Sequence, residues 1–361
     1  MKQVDFFIQN LEGGGAEKII LNILNNLNVN GFESRLVLIE NKGVYLKDLN
    51  LNIKKEIFKN SIKNRELNYI LNFIKGLISM RKRKSTIFTQ YHPGKLLSFF
   101  IPVFFRNRQI IYRETSVPQS INKISKSKVK LLDKFFYKYG IINFSTIIAQ
   151  SEYMKKMLLE LNPKIKDKIY VINNFIDFDF IYKKIGKVPI EKEKNKSLKL
   201  IAIGRLSKEK GFDLLINSLS KIDIDFKLKI LGIGPEKNNL NKLIKKYRLE
   251  NKVFLVGFKE NPFIELIRSD FLISSSLFEG FPNVVLEANA CGVPVISNYY
   301  KGVIVEIIED GINGEIIDIK NTTLLKNALK KIYDKKLIID RVKMKYDKSK
   351  IIKKYENIIN S

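Results

Sequence analysis

The chain carries at residues 276–294 the stretch SLFEGFPNVVLEANACGVP, which lies between the apolar runs 271–274 and 295–297. Short apolar runs bounded by turn residues are typical of buried strands, and Pro282 and Asn283 favour the start of a helix between them. The stretch therefore predicts strand, loop, short helix and strand in that order. A helix that begins in the loop directs its first amides and its positive dipole end at one place, which suits a negatively charged, hydroxyl-rich ligand.

Two glutamates of this stretch lie eight positions apart, Glu279 in the loop and Glu287 in the helix. Eight helical steps would separate their backbones by about 12 Å, whereas the two carboxyl groups of a retaining glycoside hydrolase are only about 5 Å apart. Carboxylates are good acceptors for pairs of sugar hydroxyls. We therefore interpret the glutamates as contacts to separate parts of one extended ligand. The alternative is a helix capped by Asn283 with two incidental glutamates.

Length and composition indicate a soluble or peripheral protein of two domains. The chain has 361 residues, of which 45% are hydrophobic, enough for a substantial core in each domain. The first residues hold too short an apolar run for a signal peptide, and no run reaches the roughly 18 apolar residues of a membrane span. The single cysteine, Cys291, cannot form an internal disulfide. This suits a reducing cytoplasm, so we predict a cytoplasmic protein.

The charge balance is strongly basic. The chain has 65 Lys and Arg against 37 Asp and Glu, a formal net charge of +28, which would attract nucleic acid, anionic lipid surfaces or polyanionic small molecules. A general enrichment in lysine, isoleucine and asparagine is the other explanation of this charge. Nucleic-acid binding rests on charge alone, because the sequence has no compact recognition motif, and we predict no nucleic-acid partner.

Strands and helices alternate in two blocks. In the first block strands are predicted at 4–9, 35–40, 86–90, 109–112, 146–150 and 169–172, and helices from Ala16 and at 67–80, 123–138 and 152–161. In the second block strands are predicted at 198–203, 228–231, 253–256 and 271–274, and helices at 212–221, 235–247 and 262–267. Such alternation favours parallel sheets covered on both faces, whose ligands bind outside the C-terminal strand ends.

The domain boundaries follow from the same pattern. Residues 1–175 are predicted to form the first domain, and residues 198–339 the second. Between them the pattern dissolves at 176–197 into charged residues with a Gly and Pro step, which predicts a linker. Residues 340–361 are predicted to form a C-terminal helix that returns to the first domain.

The segment 96–105 is the most apolar in the chain, with Lys95 before it and Arg106 and Arg108 after it. It is too short to span a bilayer, but an apolar, aromatic face with basic flanks can rest at the bilayer interface. This interpretation predicts an anionic membrane surface as a partner. The alternative is a buried helix that Pro102 ends.

A glycine-rich loop follows the first strand of each predicted domain, at 13–15 and at 204–211. Parallel sheets present helix N-termini to ligands at such loops. Arg205 offers a planar fork suited to phosphate oxygens, and Lys210 offers a mobile point charge for the same anion. These residues predict a diphosphate ligand. A dinucleotide site is the competing interpretation, but the third glycine of its pattern falls on Lys18.

The stretch 279–294 resembles the Glu-x7-Glu signature of the retaining glycosyltransferases of family 4, which have the GT-B fold. Further segments resemble this family in the same order over nearly the full length, at 13–18, 151–155, 171–174, 204–211, 231–236 and 256–258. The resemblance implies the α/β fold class GT-B, two doubly wound Rossmann-like domains with an interdomain cleft. It also implies transfer of a hexosyl or N-acetylhexosaminyl group, with retention, from a nucleotide-diphosphate donor, a UDP-sugar.

The implied acceptor is a glycan carried on a polyprenyl pyrophosphate, in the biosynthesis of capsule, O-antigen or exopolysaccharide. The resemblance thus implies a peripheral position at the inner face of the cell membrane, with residues 1–175 as the acceptor-side domain and 198–339 as the donor-binding domain. Carried over to this sequence, the resemblance implies that Arg205 and Lys210 hold the donor diphosphate, with Gly14 and Gly15 closing on it from the first domain. The other implied donor contacts are Glu279 to the transferred sugar, Glu287 to the ribose, and backbone amides at Phe281, Asn283 and Val284.

The only histidine, His92, follows a predicted strand. In the family a histidine of the first domain lies near the reacting sugar, so His92 is a catalytic candidate beside Glu279, and a plain loop residue is the alternative. Two cations and a helix dipole would neutralise the leaving diphosphate, so we expect neither a metal nor another cofactor. The alternative functions are a sugar-nucleotide epimerase of the same fold and a basic nucleic-acid-binding module.

Overall fold

A computed structural model describes residues 1–12, 14–58, 62–116, 133–186 and 197–361. It divides the chain into two compact units. The first consists of Met1–Asn174 and Ser349–Ser361, and the second of Phe175–Lys348. Part of the predicted linker, Phe178–Ile185, is a helix whose buried Phe178 and Ile181 pack in the core of the second unit, and 187–196 lie outside the described residues.

The first unit is built on a seven-stranded sheet in the order β3-β2-β1-β4-β5-β6-β7, in which every pairing is parallel. Its strands are β1 (Gln3–Ile8), β2 (Glu33–Leu38), β3 (Lys54–Ile57), β4 (Thr86–Gln90), β5 (Ile110–Arg113), β6 (Thr146–Ala149) and β7 (Ile169–Val171). Six of the seven were predicted. The exception, β3, is an edge strand that carries exposed lysines and so lacks an apolar run.

Helices connect these strands. They are α1 (Gly15–Val29), α2 (Arg65–Arg81), α3 (Tyr91–Leu97), α4 (Ile101–Phe104) and α5 (Glu152–Leu161), with short helical turns at Val44–Asp48, Phe136–Gly140, Ile141–Asn143 and Pro163–Lys168. The apolar stripe of α1 faces the core, because its isoleucines and leucines at 19, 20, 23, 24 and 27 are buried. Of the helix predicted at 123–138, residues 123–132 lie outside the described ranges.

The second unit is built on a six-stranded parallel sheet in the order β10-β9-β8-β11-β12-β13. Its strands are β8 (Leu198–Ile203), β9 (Phe226–Leu231), β10 (Val253–Gly257), β11 (Phe271–Ser274), β12 (Val295–Asn298) and β13 (Gly314–Ile317). Its helices are α6 (Phe178–Ile185), α7 (Phe212–Leu219), α8 (Lys237–Lys246), α9 (Phe263–Ile267), α10 (Asn283–Ala290), α11 (Ile304–Ile307), α12 (Thr322–Ala328) and α13 (Lys335–Tyr346), with a short turn at Lys208–Lys210. The predicted succession of strand, loop, helix and strand at 271–298 is confirmed.

Two segments that were predicted as single helices are each divided between two helices. The segment 96–105 is not one helix ended by Pro102, since α3 ends at Leu97 and Pro102 lies in the first turn of α4, where a missing N–H does no harm. The tail is also two helices, because Asp347 is extended and pairs with Ile176. The second of them, α14 (Lys348–Asn360), packs in the first unit.

None of the helices within the described ranges is long and apolar enough to cross a membrane.

Candidate active site

Three loops of the second unit meet at the C-terminal ends of β8, β9 and β11. The amide of Leu277 donates to the carbonyl of Glu209 at 2.8 Å, and the Ser275 hydroxyl donates to the carbonyl of Lys210 at 2.7 Å. Gly211 has φ +61, and a Cβ there would stand 2.2 Å from the carbonyl oxygen of Ser275. The glycine loop 204–211 is therefore held against the loop that follows β11, at the sheet edge where parallel sheets bind ligands.

Lys210 and Glu279 form the polar centre of these loops. The ammonium of Lys210 donates to Oε1 of Glu279, and the Ser276 hydroxyl donates to the same oxygen at 2.7 Å. Both charged side chains are largely buried, with 20% and 16% of their side-chain surface exposed. The structure thus brings together a cation predicted to hold the diphosphate and a carboxylate predicted to hold the sugar.

Helix α10 begins at Asn283, after Pro282, and no side chain caps its first turn. The amide of Asn283 donates to the carbonyl of Phe281 at 3.0 Å, so this predicted donor already has a partner in the chain. The ring of Phe281 is buried and lies 6.3 Å from that of Tyr346. Phe281 is therefore a core side chain. Val284, beside Asn283 in the first turn, is half-buried, and any ligand contact at Phe281 must come from its backbone.

Arg205 lies in the glycine loop after β8, and Glu287 lies on α10. Arg205 follows β8 and is exposed, while the next residue, Leu206, is buried and exchanges backbone hydrogen bonds with Ile233 and Glu236 at 3.0 and 2.9 Å. This anchoring fixes the backbone from which the guanidinium projects. Glu287 is half-buried, one turn along α10 from Asn283.

Tyr300 is a residue near this site that sequence reasoning missed. Its side chain is 5% exposed, and its hydroxyl is buried without a hydrogen-bond partner among the described residues. Burial raises the pKa of this phenol well above its usual value, and the negative charge of Glu279 raises it further. No sequence motif surrounds Tyr300, so only its position beside Glu279 marks it.

The glycine loop of the first unit follows β1, although Gly13 lies outside the described residues. Gly14 precedes the first turn of α1 and Gly15 begins the helix. The Glu17 carboxylate lies over the loop, since a Cβ on Gly14 would stand 2.2 Å from its Oε2. Burial raises the pKa of Glu17 above the usual carboxyl value.

His92 lies at the C-terminal end of β4, as predicted, in the first turn of α3. The preceding residue, Tyr91, has φ +54, a left-handed conformation that a non-glycine residue rarely adopts and that is common at functional sites. Partial burial of the ring lowers the pKa of His92, and the charge of Lys95 lowers it further. Lys95 itself is buried and paired with Asp133 at 2.7 Å. The imidazole is therefore neutral near pH 7 and able to accept a proton.

The part of the chain that the structure describes contains no group of three or more His, Cys, Asp or Glu side chains placed to hold a metal ion.

Comparison with known proteins relates the chain to glycosyltransferases. Residues 186–351 match the family model "Glycosyl transferases group 1". A Campylobacter jejuni relative, N-acetylgalactosamine-N,N'-diacetylbacillosaminyl-diphospho-undecaprenol 4-alpha-N-acetylgalactosaminyltransferase, is 28% identical over 342 residues, which cover 91% of this chain and 90% of the relative. The N-acetyl-alpha-D-glucosaminyl L-malate synthase of Bacillus anthracis is 30% identical over 61% of each chain.

Solved structures share the fold over the whole length. The Anabaena protein Alr3699/HepE in complex with UDP and glucose superposes with a TM-score of 0.80 at 18% identity, covering 100% of both chains. The lipopolysaccharide outer core galactosyltransferase WaaB gives a TM-score of 0.75 at 19% identity, covering 99% of each chain. The predicted fold class, two doubly wound Rossmann-like domains, is confirmed. The chain is a glycosyltransferase with the GT-B fold, and its residues 186–351 match the model of the group 1 glycosyl transferases.

Proposed function

We propose that this glycosyltransferase moves a sugar from a UDP-sugar to a glycan carried on a polyprenyl pyrophosphate, in the assembly of a cell-surface polysaccharide. The observation that carries the proposal is the contact between Lys210 and Glu279, which joins the loops after β8 and β11. One ligand that spans a diphosphate and a sugar engages both groups. The acceptor class is supported by the Campylobacter jejuni relative, whose name includes diphospho-undecaprenol.

In this proposal the second unit holds the donor. Arg205 and Lys210 bind the diphosphate, the uncapped start of α10 adds its positive dipole end, and Glu287 binds the ribose hydroxyls. These groups stabilise the charge that develops on the leaving diphosphate. We therefore expect transfer to proceed without a metal and to survive chelation by EDTA.

We further propose that transfer retains the configuration of the anomeric carbon. The bond from this carbon to the leaving phosphate oxygen breaks, the acceptor oxygen bonds on the same face, and the acceptor proton passes to the leaving phosphate. Glu279 is paired with Lys210 and accepts a hydrogen bond from Ser276, so its negative charge is already balanced. This favours a carboxylate that orients the sugar over one that forms a covalent intermediate.

The experiment is a panel of UDP-, GDP- and ADP-sugars, assayed for nucleotide release with and without polyprenyl-pyrophosphate-linked glycans. We expect release from one UDP-sugar class and only with acceptor present. Conversion of a sugar nucleotide without acceptor would identify an epimerase instead. Absence of binding and of release for the whole panel would refute the proposed function.

Peripheral attachment to an anionic membrane is a second part of the proposal. An exposed apolar face runs along α2, and exposed side chains of α4 continue it: Leu67, Ile70, Ile74 and Ile78, 44–54% exposed, with Val103 and Phe104, 75% and 40% exposed. The Arg81 guanidinium lies 5.6 Å from the centroid of the Phe104 ring, so the two helices adjoin. Sequence reasoning found the α4 part of this face and missed the α2 part.

Exposed basic side chains surround this apolar face, among them Arg65, Lys75, Arg81 and Arg106. An apolar stripe flanked by cations suits the interface of an anionic bilayer. We predict that Ile70→Ser, Ile74→Ser and Ile78→Ser together abolish cosedimentation with phosphatidylglycerol vesicles. The matched control is Val305→Ser, Leu324→Ser and Ile332→Ser, three exposed apolar residues of the second unit. Equal cosedimentation of the two triple variants would contradict the membrane role of this face.

A further inference from the structure

A pocket of about 550 Å³ opens in the first unit, within the size range of ligand sites. It lies at the C-terminal ends of β2 and β3 and at the start of α2, which is the ligand-binding edge of a parallel sheet. The polar residues that line it include Glu40, Lys42, Lys63, Arg65 and Tyr69. None of these residues belongs to the proposed donor site.

Glu40 forms the fixed floor of this pocket. It is 9% exposed, and its Oε2 accepts hydrogen bonds from Gln9 at 2.9 Å and Asn10 at 3.1 Å. Burial alone would raise the pKa of this carboxyl, but these hydrogen bonds and that of Arg65 outweigh burial and lower it. An ionised, oriented carboxylate is an acceptor for sugar hydroxyls. Gln9 and Asn10 also connect the pocket to the end of β1, which precedes the glycine loop.

Tyr69 provides a second polar group, whose hydroxyl can still form hydrogen bonds. Its hydroxyl is buried and has no hydrogen-bond partner among the residues that the structure describes. Burial, and then the negative charge of Glu40, raise the pKa of this phenol, so the hydroxyl keeps its proton. A buried hydroxyl without a partner is unfavourable, because folding has removed its hydrogen bonds to water without replacing them. A ligand hydroxyl or phosphate oxygen in the pocket would supply the missing bond.

Three cations form the rim. Lys42 and Arg65 reach toward Oε1 of Glu40 at 4.0 and 3.3 Å, but 44% and 71% of their side-chain surfaces are exposed. Lys63 is exposed as well. Pairs so exposed are weak and leave the cations available to another anion. The rim therefore favours a phosphate, whereas the carboxylate floor repels one and accepts hydroxyls.

We infer that this pocket binds the phosphorylated sugar of the acceptor, with sugar hydroxyls on Glu40 and Tyr69 and phosphate oxygens on Lys42, Lys63 and Arg65. The inference rests on the proposed function, because it assigns the acceptor of the same reaction. It adds a substrate class: the group recognised is a sugar phosphate, and neither a neutral glycan nor a bare anion fills both halves of the pocket.

The test is binding of hexose 1-phosphates and N-acetylhexosamine 1-phosphates to the full chain, measured by saturation-transfer NMR under saturating UDP, which blocks the donor site. Free sugars and inorganic phosphate are the matched probes. We expect at least one sugar phosphate to bind about tenfold or more tightly than either matched probe, since it engages both halves. Inorganic phosphate that binds as tightly would indicate an adventitious ion only and overturn the inference.

Single substitutions in the pocket test whether the sugar phosphate binds there. Tyr69→Phe and Arg65→Gln should each weaken sugar phosphate binding by about tenfold, whereas Lys156→Gln, a change at an exposed lysine of α5, should not. Tyr69→Phe keeps the ring, so the fold is preserved. Binding of UDP should be the same in all four proteins. Unchanged sugar phosphate affinity in both pocket variants overturns the inference alone, whereas failure of UDP to bind overturns the proposed function.

Discussion

Lys210 and Glu279 are 69 positions apart in the chain and form one ion pair, to which Ser276 contributes a hydrogen bond. Each is predicted to contact a different part of the donor, the diphosphate and the transferred sugar. A carboxylate held by a cation and a hydroxyl has few orientations open to it. We infer that this pairing organises the donor site before the donor binds, which is how binding groups contribute most to rate.

The first prediction concerns Lys210. Replacing it with glutamine removes the charge that we propose contacts the leaving diphosphate, so kcat/KM should fall by about 10²–10³-fold, the usual effect of losing one such group. The matched control is Lys208→Gln, an exposed lysine of the same loop, which should stay within about threefold of the parent. Steady-state kinetics checks both. Similar losses in the two variants would contradict a specific role for Lys210.

The second prediction concerns pH. The pKa of His92 lies below its usual value of about 6.5, because burial and Lys95 disfavour the imidazolium. The neutral form therefore dominates at pH 7, where its free ring nitrogen can accept a hydrogen bond from a sugar hydroxyl, while the leaving phosphate takes the acceptor proton. We expect kcat/KM to decline only as pH falls through this lowered pKa. In His92→Gln the acidic limb should vanish, and the rate near pH 7 should fall about 10²-fold. An identical acidic limb in both proteins would show that another group titrates.

At the scale of elements, the loops of the proposed donor site are held together by close contacts between their backbones. Gly232 has φ +148, and a Cβ there would stand 1.8 Å from the carbonyl oxygen of Gly204, so the loops after β8 and β9 touch where only glycine fits. Gly211 makes the equivalent approach to Ser275. These contacts place the first turns of α7 and α8 side by side at one sheet edge.

The third prediction distinguishes the cost of a left-handed backbone from the cost of the close contact with Ser275. Gly211→Ala should lower the free energy of unfolding of the second unit by about 2–3 kcal/mol, because the new Cβ meets the Ser275 carbonyl in a left-handed backbone. Gly311 has φ +78 with nothing within 4 Å, so Gly311→Ala should cost only about 1 kcal/mol. Hydrogen exchange of second-unit peptides measures both values. Equal losses would mean that the contact with Ser275 contributes nothing.

At the scale of the whole molecule, the last helix completes the first unit. Four apolar side chains of α14 are buried, Ile351, Ile352, Tyr355 and Ile359. The Tyr355 hydroxyl accepts a hydrogen bond at 3.2 Å from Arg113, a fully buried arginine at the end of β5. The chain therefore returns from the second unit to cover the sheet on which it began.

The fourth prediction is that deletion of 349–361 unfolds the first unit and spares the second. Each buried apolar side chain of α14 contributes about 1.5–3 kcal/mol, and four of them approach the whole stability of a domain, about 5–15 kcal/mol. Hydrogen exchange should show loss of protection in β1 to β7 but not in β8 to β13. Deletion of Ser361 alone is the control. Retained protection in the first unit would contradict this role of α14.

Most strands of both sheets could be predicted from the sequence, because buried parallel strands are apolar throughout and helices alternate with them. The two edge strands β3 and β13 were not predicted: the lysines of β3 face solvent, and β13 is a short strand with only two consecutive isoleucines. The break at Asp347 was not predicted either, because it depends on pairing with Ile176. The loop residues of the donor site were predicted from local motifs. The contact of Lys210 with Glu279, the buried hydroxyls of Tyr300 and Tyr69, and the pocket at Glu40 all depend on residues distant in the chain, so they required the structure.

The proposed reaction transfers one sugar from a UDP-sugar to a lipid-linked glycan. Mass spectrometry of the lipid-linked product, with the UDP-sugar class selected by the donor panel, detects this transfer. We expect an acceptor heavier by one sugar residue, with one UDP released for each product and no product from Lys210→Gln in the same time. A UDP-sugar consumed without any change in acceptor mass would contradict it.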